Sequence, residues 1–434
     1  MRETSLLCAF CVAVALLAGV LPQPLRADEP YLLEVHKHEK CIYNGGSVLT
    51  LSDAIQNALD NSPRIKSAAA VAEAAKGTEN QAGHRPNPEI AFEMENIAGS
   101  GSFGGTDSAE FTYSLTQTVE IGGKRAARIN AAKAARGAAA KALAVERLNL
   151  ERDVRITYLN ILAEDEAVSL AVRQEQLAKY VLDTVSEQVR AAAKPEIQLS
   201  KAEVAYVTSV IARERKEHEL EIAKERLAKL LGVSALNSSL DRADFFELKA
   251  PDSIESYRAN LARIPDMQRF SYMKTEKESL LDLERALAVP DPDFSLGVRD
   301  FRESGDQSFV FSVSFPIPIF NQNKGNVARA RAEVVQTASD ARQAELILEL
   351  QLMQNWKQWN TSYSEAQRLK TELLPSAEKA FELARAGYTK GRFSYYEMLD
   401  AQRTLFDAMS QYYDSLKLYH TARANVKRLT AVAQ

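Results

Sequence analysis

The sequence has little cysteine, three residues in 434. Cys8 and Cys11 lie in an apolar N-terminal run, which leaves Cys41 and no basis for a disulfide framework. Charge of either sign is barely in excess: 54 Lys+Arg stand against 58 Asp+Glu, a net charge of −4. That balance gives no electrostatic footprint for nucleic acid, and none is expected as a partner. With 18 Gly and 14 Pro, a collagen-like or low-complexity chain is excluded. No HExxH or GxSxG motif occurs, so the chain is expected not to be an enzyme and to need no cofactor. Beyond the N-terminus, no stretch reaches the ~18 apolar residues of a spanning helix. What remains is rich in alanine and has long tracts free of Gly and Pro, a composition that favours helix.

Residues 1–27 read as a secretory signal. Arg2 opens a short polar region, Leu6 to Leu21 is apolar, and Leu25-Arg26-Ala27 offers a small residue before a cut. A secreted chain without spanning helices is either soluble beyond the inner membrane or a β-barrel. The strands decide between these.

Two pairs of segments alternate with period two. In the first pair, expected at 88–97 and 109–121, Ile90, Phe92 and Met94 share a face opposite Glu89, Glu93 and Glu95. Phe111, Tyr113 and Leu115 then oppose Thr112, Ser114 and Thr116. The second pair, at 292–302 and 307–319, repeats the pattern with Phe294, Leu296 and Val298, then Phe309, Phe311 and Val313. Alternation over about ten residues bounded by turn residues fits a transmembrane β-strand or a half-buried soluble hairpin. Two such hairpins behind a signal segment favour the membrane reading.

The helical tracts are long. Lys124 to Ala192 contains no proline and one glycine, Gly137, and spans about 100 Å if continuous. Leu177, Val181, Val185 and Val189 form a stripe at four-residue steps. A second tract runs from Asn326 to Thr389, interrupted by Pro375 and Gly387. In the last tract Tyr395, Leu399, Phe406, Met409, Tyr413 and Leu416 follow near-heptad spacing. Pro86-Asn87-Pro88-Glu89 matches Pro290-Asp291-Pro292-Asp293, so the chain reads as an internal duplication. The division is a leader at 28–48, a first repeat at 49–231, a less regular connection at 232–262 and a second repeat at 263–434.

Four strands cannot close a barrel, whose smallest examples have about eight. An open sheet in lipid leaves edge N–H and C=O groups unpaired, at several kcal/mol each. Several chains must therefore share one barrel. Two chains would give a filled interior and three a wet lumen.

The sequence resembles the TolC-like outer-membrane factor family, and within it the CzcC-type branch of heavy-metal efflux proteins. The resemblance rests on Leu49-Thr50-Leu51-Ser52-Asp53-Ala54, Asn61-Ser62-Pro63, and Gln117-Thr118-Val119-Glu120-Ile121-Gly122-Gly123-Lys124-Arg125. The second half adds Phe315-Pro316-Ile317-Pro318-Ile319-Phe320-Asn321, Gly387-Tyr388 and Leu399-Asp400-Ala401. It implies a mainly α fold with a small β part: a homotrimer with a shared twelve-stranded barrel and a periplasmic α-barrel of coiled-coil-like helices. It also implies an outer-membrane location, a periplasmic adaptor and a proton-driven inner-membrane RND pump. The function implied is the exit duct for heavy-metal cations. A duct for drugs or for type I protein secretion, and a pore-free periplasmic scaffold, are the alternatives.

By the same resemblance Glu397 and Asp400, three apart on one helix face, are the candidate entrance gate. The bland alternative is a solvated face with Arg403 as partner of Asp400. Lys194-Pro195-Glu196 and Lys390-Gly391-Arg392 are candidate adaptor-contact turns. Gly122-Gly123-Lys124-Arg125 is similar to a phosphate loop but has Arg125 where Ser or Thr belongs, and reads instead as a strand-to-helix break. His36, His38 and Cys41 are weak candidate donors for a soft divalent cation, at no standard spacing. Trp356 and Trp359 are expected to serve packing.

Overall fold

The computed structural model describes residues 42–43, 48–390 and 392–431. The signal segment, most of the leader, His36, His38, Cys41 and Gly391 lie outside the described residues. A short strand, β1 (Ile42–Tyr43), comes first. Helix α1 (Leu51–Asn61) starts where the Thr50 hydroxyl accepts the Asp53 N–H at 3.2 Å, an N-cap that satisfies one orphan donor. It buries Ala54 and Ala58, one turn apart. Pro63 opens α2 (Pro63–Ala82) at a position whose N–H has no intrahelical partner.

The chain then enters β2 (Glu89–Glu95) and returns in β3 (Glu110–Thr118). Gly122 and Gly123, both at positive φ (72° and 82°), turn it into α3 (Lys124–Arg190). This helix has 67 residues, about 100 Å. At Gly137 an added Cβ would lie 2.4 Å from the Tyr272 ring, so only glycine permits this approach. Helix α4 (Glu196–Leu231) runs back and stops at Gly232, φ 73°. There the Val233 N–H donates to Ala228 O and the Gly232 N–H to Lys229 O, closing a left-handed cap. Strand β4 (Ala235–Leu236) pairs in parallel with β1.

After α5 (Ile254–Arg258) the series repeats: α6 (Pro265–Leu287), β5 (Asp293–Phe301), β6 (Gln307–Ser314), then α7 (Lys324–Arg368). A π-helical turn, Leu369–Leu373, joins α7 to α8 (Leu374–Thr389), and α9 (Tyr395–Thr430) returns. So the second descending run is interrupted above Pro375, where α3 is continuous. Strand β6 ends at Ser314, short of 319, because Pro316 and Pro318 cannot donate to a ladder.

The main core lies at mid-height of α3. Leu150, Val154, Tyr158 and Leu162 pack with Ala58, Leu227, Phe245 and Leu416. The Tyr158 hydroxyl donates to Leu49 O and Asp241 O at 2.7 and 3.0 Å, which ties the chain entry to the connection between the halves. Trp359 packs with Leu352, Tyr419 and Val426, while the Trp356 indole N–H donates to Asp252 O. In α9 the buried seam is Met398, Leu405, Ala408, Tyr412 and Leu416. The heptad period holds, but before Leu416 its phase is one residue earlier than the sequence suggested. Ala408 packs with Ala377 of α8, two small side chains that let the helices approach, and Met409 packs partly buried at the side of the same cluster.

Candidate functional site

The four long strands form one antiparallel sheet in the order β2-β3-β5-β6. Its register fixes two faces. Ile90 stands opposite Leu115, Leu115 opposite Leu296, and Leu296 opposite Phe311. Phe92, Tyr113, Val298 and Phe309 form the adjoining row. This face is apolar yet uncovered: Ile90 is 79% and Phe309 86% exposed. A contiguous exposed face of this kind marks contact with membrane or partner.

The other face is polar. Glu89, Glu93, Glu95, Glu110 and Asp293 lie on it with Thr112, Thr116 and Thr118. Arg299 is the single cation there: it contacts Glu95 at 2.9 Å, Glu110 at 3.0 Å and the Thr112 hydroxyl at 2.9 Å. Lower on the face the Thr118 hydroxyl donates to Asp293 at 2.6 Å. Within the chain, β2 and β6 pair on one side only.

At the strand-to-helix junction, Gly122-Gly123-Lys124-Arg125 brings Lys124 inward and leaves Arg125 exposed. The Lys124 ammonium, 5% exposed, pairs with Asp291 at 2.7 Å, and Asp291 also accepts the Ile121 N–H. Arg125 donates to Gly83 O at 2.7 Å. Arg128 forks onto Glu120, at 2.6 and 3.1 Å, and donates to Ala82 O and His84 O. Two arginines thus satisfy carbonyls at the end of α2, where the helix leaves them orphaned. The reading from sequence missed Glu120, Arg128 and Asp291 as a group. Their one signal was the matched Pro290-Asp291-Pro292 motif.

The opposite end of the helices is a tip of two turns. In the first, Ala192 adopts φ 55° and Pro195 N-caps α4, with Glu196 in its first turn. In the second, the Arg392 N–H donates to Gly387 O at 2.9 Å, and a Cβ on Gly387 would strike the Phe393 ring. Lys390 and Arg392 are exposed.

Glu397 and Asp400 are exposed on α9. The Glu397 carboxylate accepts the Ser394 N–H at 2.6 Å, and the Ser394 hydroxyl accepts the Glu397 N–H at 3.3 Å, a capping box. The N–H and hydroxyl of Ser394 hold the Glu397 carboxyl below its usual pKa. Arg403 lies 3.7 Å from Asp407, not beside Asp400. Tyr396 joins the two halves: Gln198 reaches its hydroxyl at 3.3 Å and Lys201 at 3.4 Å. Gln198 first, then Lys201, pull its pKa down. Among the described residues no helix is long and apolar enough to cross a membrane, and no His/Cys/Asp/Glu group is disposed to hold a metal.

The profile of outer membrane efflux proteins matches residues 54–233 and 257–432. The cobalt-zinc-cadmium resistance protein CzcC of Cupriavidus metallidurans is 28% identical over 381 residues, 88% of this chain and 90% of that protein. The pyoverdine export outer membrane protein OpmQ of Pseudomonas putida is 25% identical over 402 residues, covering 83% and 81%. Among solved structures, a membrane protein of Pseudomonas aeruginosa superposes with a TM-score of 0.77 at 18% identity, covering 88% of this chain and 90% of that one. With its uncovered apolar sheet and ~100 Å helices, the chain belongs to the outer membrane efflux protein family, as a duct in the outer membrane that extends into the periplasm.

Proposed function

We propose that this chain is the exit duct of a tripartite pump for divalent heavy-metal cations. It works as a homotrimer, with a periplasmic adaptor and an inner-membrane RND pump. The carrying observation is the four-stranded sheet with an uncovered apolar face and two one-sided edges. In hydrocarbon those edges need partners, and three copies supply twelve strands around a lumen wide enough for water. The polar face then lines the lumen. On it Glu89, Glu93, Glu95, Glu110 and Asp293 oppose Arg299 alone, a balance that favours cations. The similarity to CzcC supports metal as cargo.

In this reading Glu397 and Asp400 of three copies ring the periplasmic entrance, and the turns at Lys194-Pro195-Glu196 and Lys390-Gly391-Arg392 meet the adaptor. Removing both carboxylates (Glu397→Ala with Asp400→Ala) changes single-channel conductance and block by divalent cations in planar bilayers. Unchanged conductance and block reject the gate. The duct itself is tested by deleting the gene and scoring growth on cobalt, zinc, cadmium and nickel. Sensitivity to metals supports the assignment. The similarity to OpmQ favours a second reading, an organic cargo: sensitivity confined to drugs or siderophore export would establish it.

A further inference from the structure

A polar cavity of about 150 Å³ lies where α3, α9 and the connection between the halves meet. Arg155 lines it from α3, Arg423 and Lys427 from α9, and Asp244, Glu247 and Lys249 from the connection. Three of these six charges have ion-pair partners. Arg155 lies 3.1 Å from Glu151, and Lys249 lies 3.1 Å from Glu247. Arg423 and Lys427 form no ion pair among the described residues. They are four apart on one helix, so they face the same way, and like charges at that spacing repel. Lys427 is exposed at the mouth of the cavity; partial loss of hydration first, then the fields of Arg423 and Arg155, with Glu151 opposing, press its ammonium toward the neutral form.

One wall of the cavity is formed by His420. His420 is buried, donates from Nε2 to Phe245 O at 2.8 Å, and stacks on the Phe245 ring at 5.5 Å. A carbonyl only accepts, so Nε2 carries the proton. The volume suits one phosphate or carboxylate group, or a few waters. A guanidinium presents a planar fork to such an oxyanion, and an ammonium adds a point charge.

We propose that this cavity is an oxyanion site, in which Arg423 and Lys427 together grip a phosphate or carboxylate group and bridge α9 to the connection between the halves. The site goes beyond the conduit reading and stands whatever the cargo is. Its position excludes membrane lipid. Arg155 lies 31 residues along α3 from Lys124, about 47 Å below the strand-to-helix junction. At that depth the group comes from a free periplasmic anion or from a peptide carboxylate of the cell wall.

The test titrates the purified full-length protein in detergent and follows its thermal unfolding at constant ionic strength. One arm adds sodium phosphate, another a stem peptide ending in D-alanine, and sodium chloride is the reference. Saturable stabilisation by phosphate or by peptide, absent with chloride, is the expected result. Phosphate alone identifies the free anion, and peptide at lower concentration identifies the cell wall. Arg423→Gln with Lys427→Gln weakens the apparent affinity about tenfold or more, while Lys179→Gln, elsewhere on α3, leaves it unchanged. A wild-type protein that responds to neither phosphate nor the peptide beyond its response to chloride overturns the proposal, whatever the variants do. So does a double variant that keeps wild-type affinity.

Discussion

Single side chains at the junction and at mid-height carry more stability than their place in a surface loop or a helix suggests. Lys124 is buried against Asp291, and a buried charge left without its partner is costly. Asp291→Ala is therefore expected to destabilise the folded protein by about 3 kcal/mol, read as a lower unfolding midpoint. The double change with Lys124→Met restores much of the loss, because it removes the stranded charge. His420 is a second case. Burial, and after it the Arg423 and Arg155 charges, lower its pKa to about 4, with the Phe245 carbonyl and Asp244 opposing. The unfolded chain takes up this proton near pH 6.5 and the folded chain only near pH 4. Stability from this group is complete above pH 6.5 and falls as pH drops toward 4, by on the order of 3 kcal/mol. Unfolding midpoints between pH 4 and 7 show that slope, and His420→Gln flattens it.

At the scale of elements, the two tip turns solve one problem differently. The second uses Gly387 packed under Phe393, whereas the first places Ala192 in the left-handed region. A Cβ there costs about 1 kcal/mol. Ala192→Gly is expected to recover about that amount, seen as slower proteolysis of the first turn. The sequence showed where these turns fall, since proline and glycine punctuate helices. It did not show that alanine would take the strained position, because that depends on how α3 and α4 must meet. The strands divide the same way. Their two-residue alternation was legible in the chain, but the place where β6 stops followed from Pro316 rather than from hydrophobicity. The acidic pair at the start of α9 was legible too. That Glu397 spends its carboxylate on Ser394 was not.

For the whole molecule, the decisive quantity is the unpaired hydrogen-bonding capacity of β2 and β6. If three copies close the barrel, β6 of one copy lies antiparallel to β2 of the next. Without stagger, Val310 stands level with Gly297, Ser114 and Ala91. Ala91→Cys combined in turn with Ser308→Cys, Val310→Cys or Ser312→Cys, in a Cys41→Ser background, is expected to give a disulfide-linked trimer in one register. Barrel strands are staggered, so the scan continues along β6 beyond these three positions, and monomer alone at every position rejects the closure, since cysteines more than about 7 Å apart at Cα do not bridge.

The sequence by itself determined the two alternating hairpins, the long helices and the duplication, and it is the source of the proposal that strands are shared between copies. Each follows from local periodicity and from what lipid demands of backbone groups, and neither needs a partner to be known. The tertiary structure alone decided which charges meet. Ile121 and Lys124 share Asp291, 170 residues beyond Ile121, and Arg428 grips Asp266, 162 residues away in sequence, at 2.9 Å. Such pairings depend on how two stretches of chain pack, because a side chain's charge acts over a few ångströms and its period in sequence carries no record of who stands opposite.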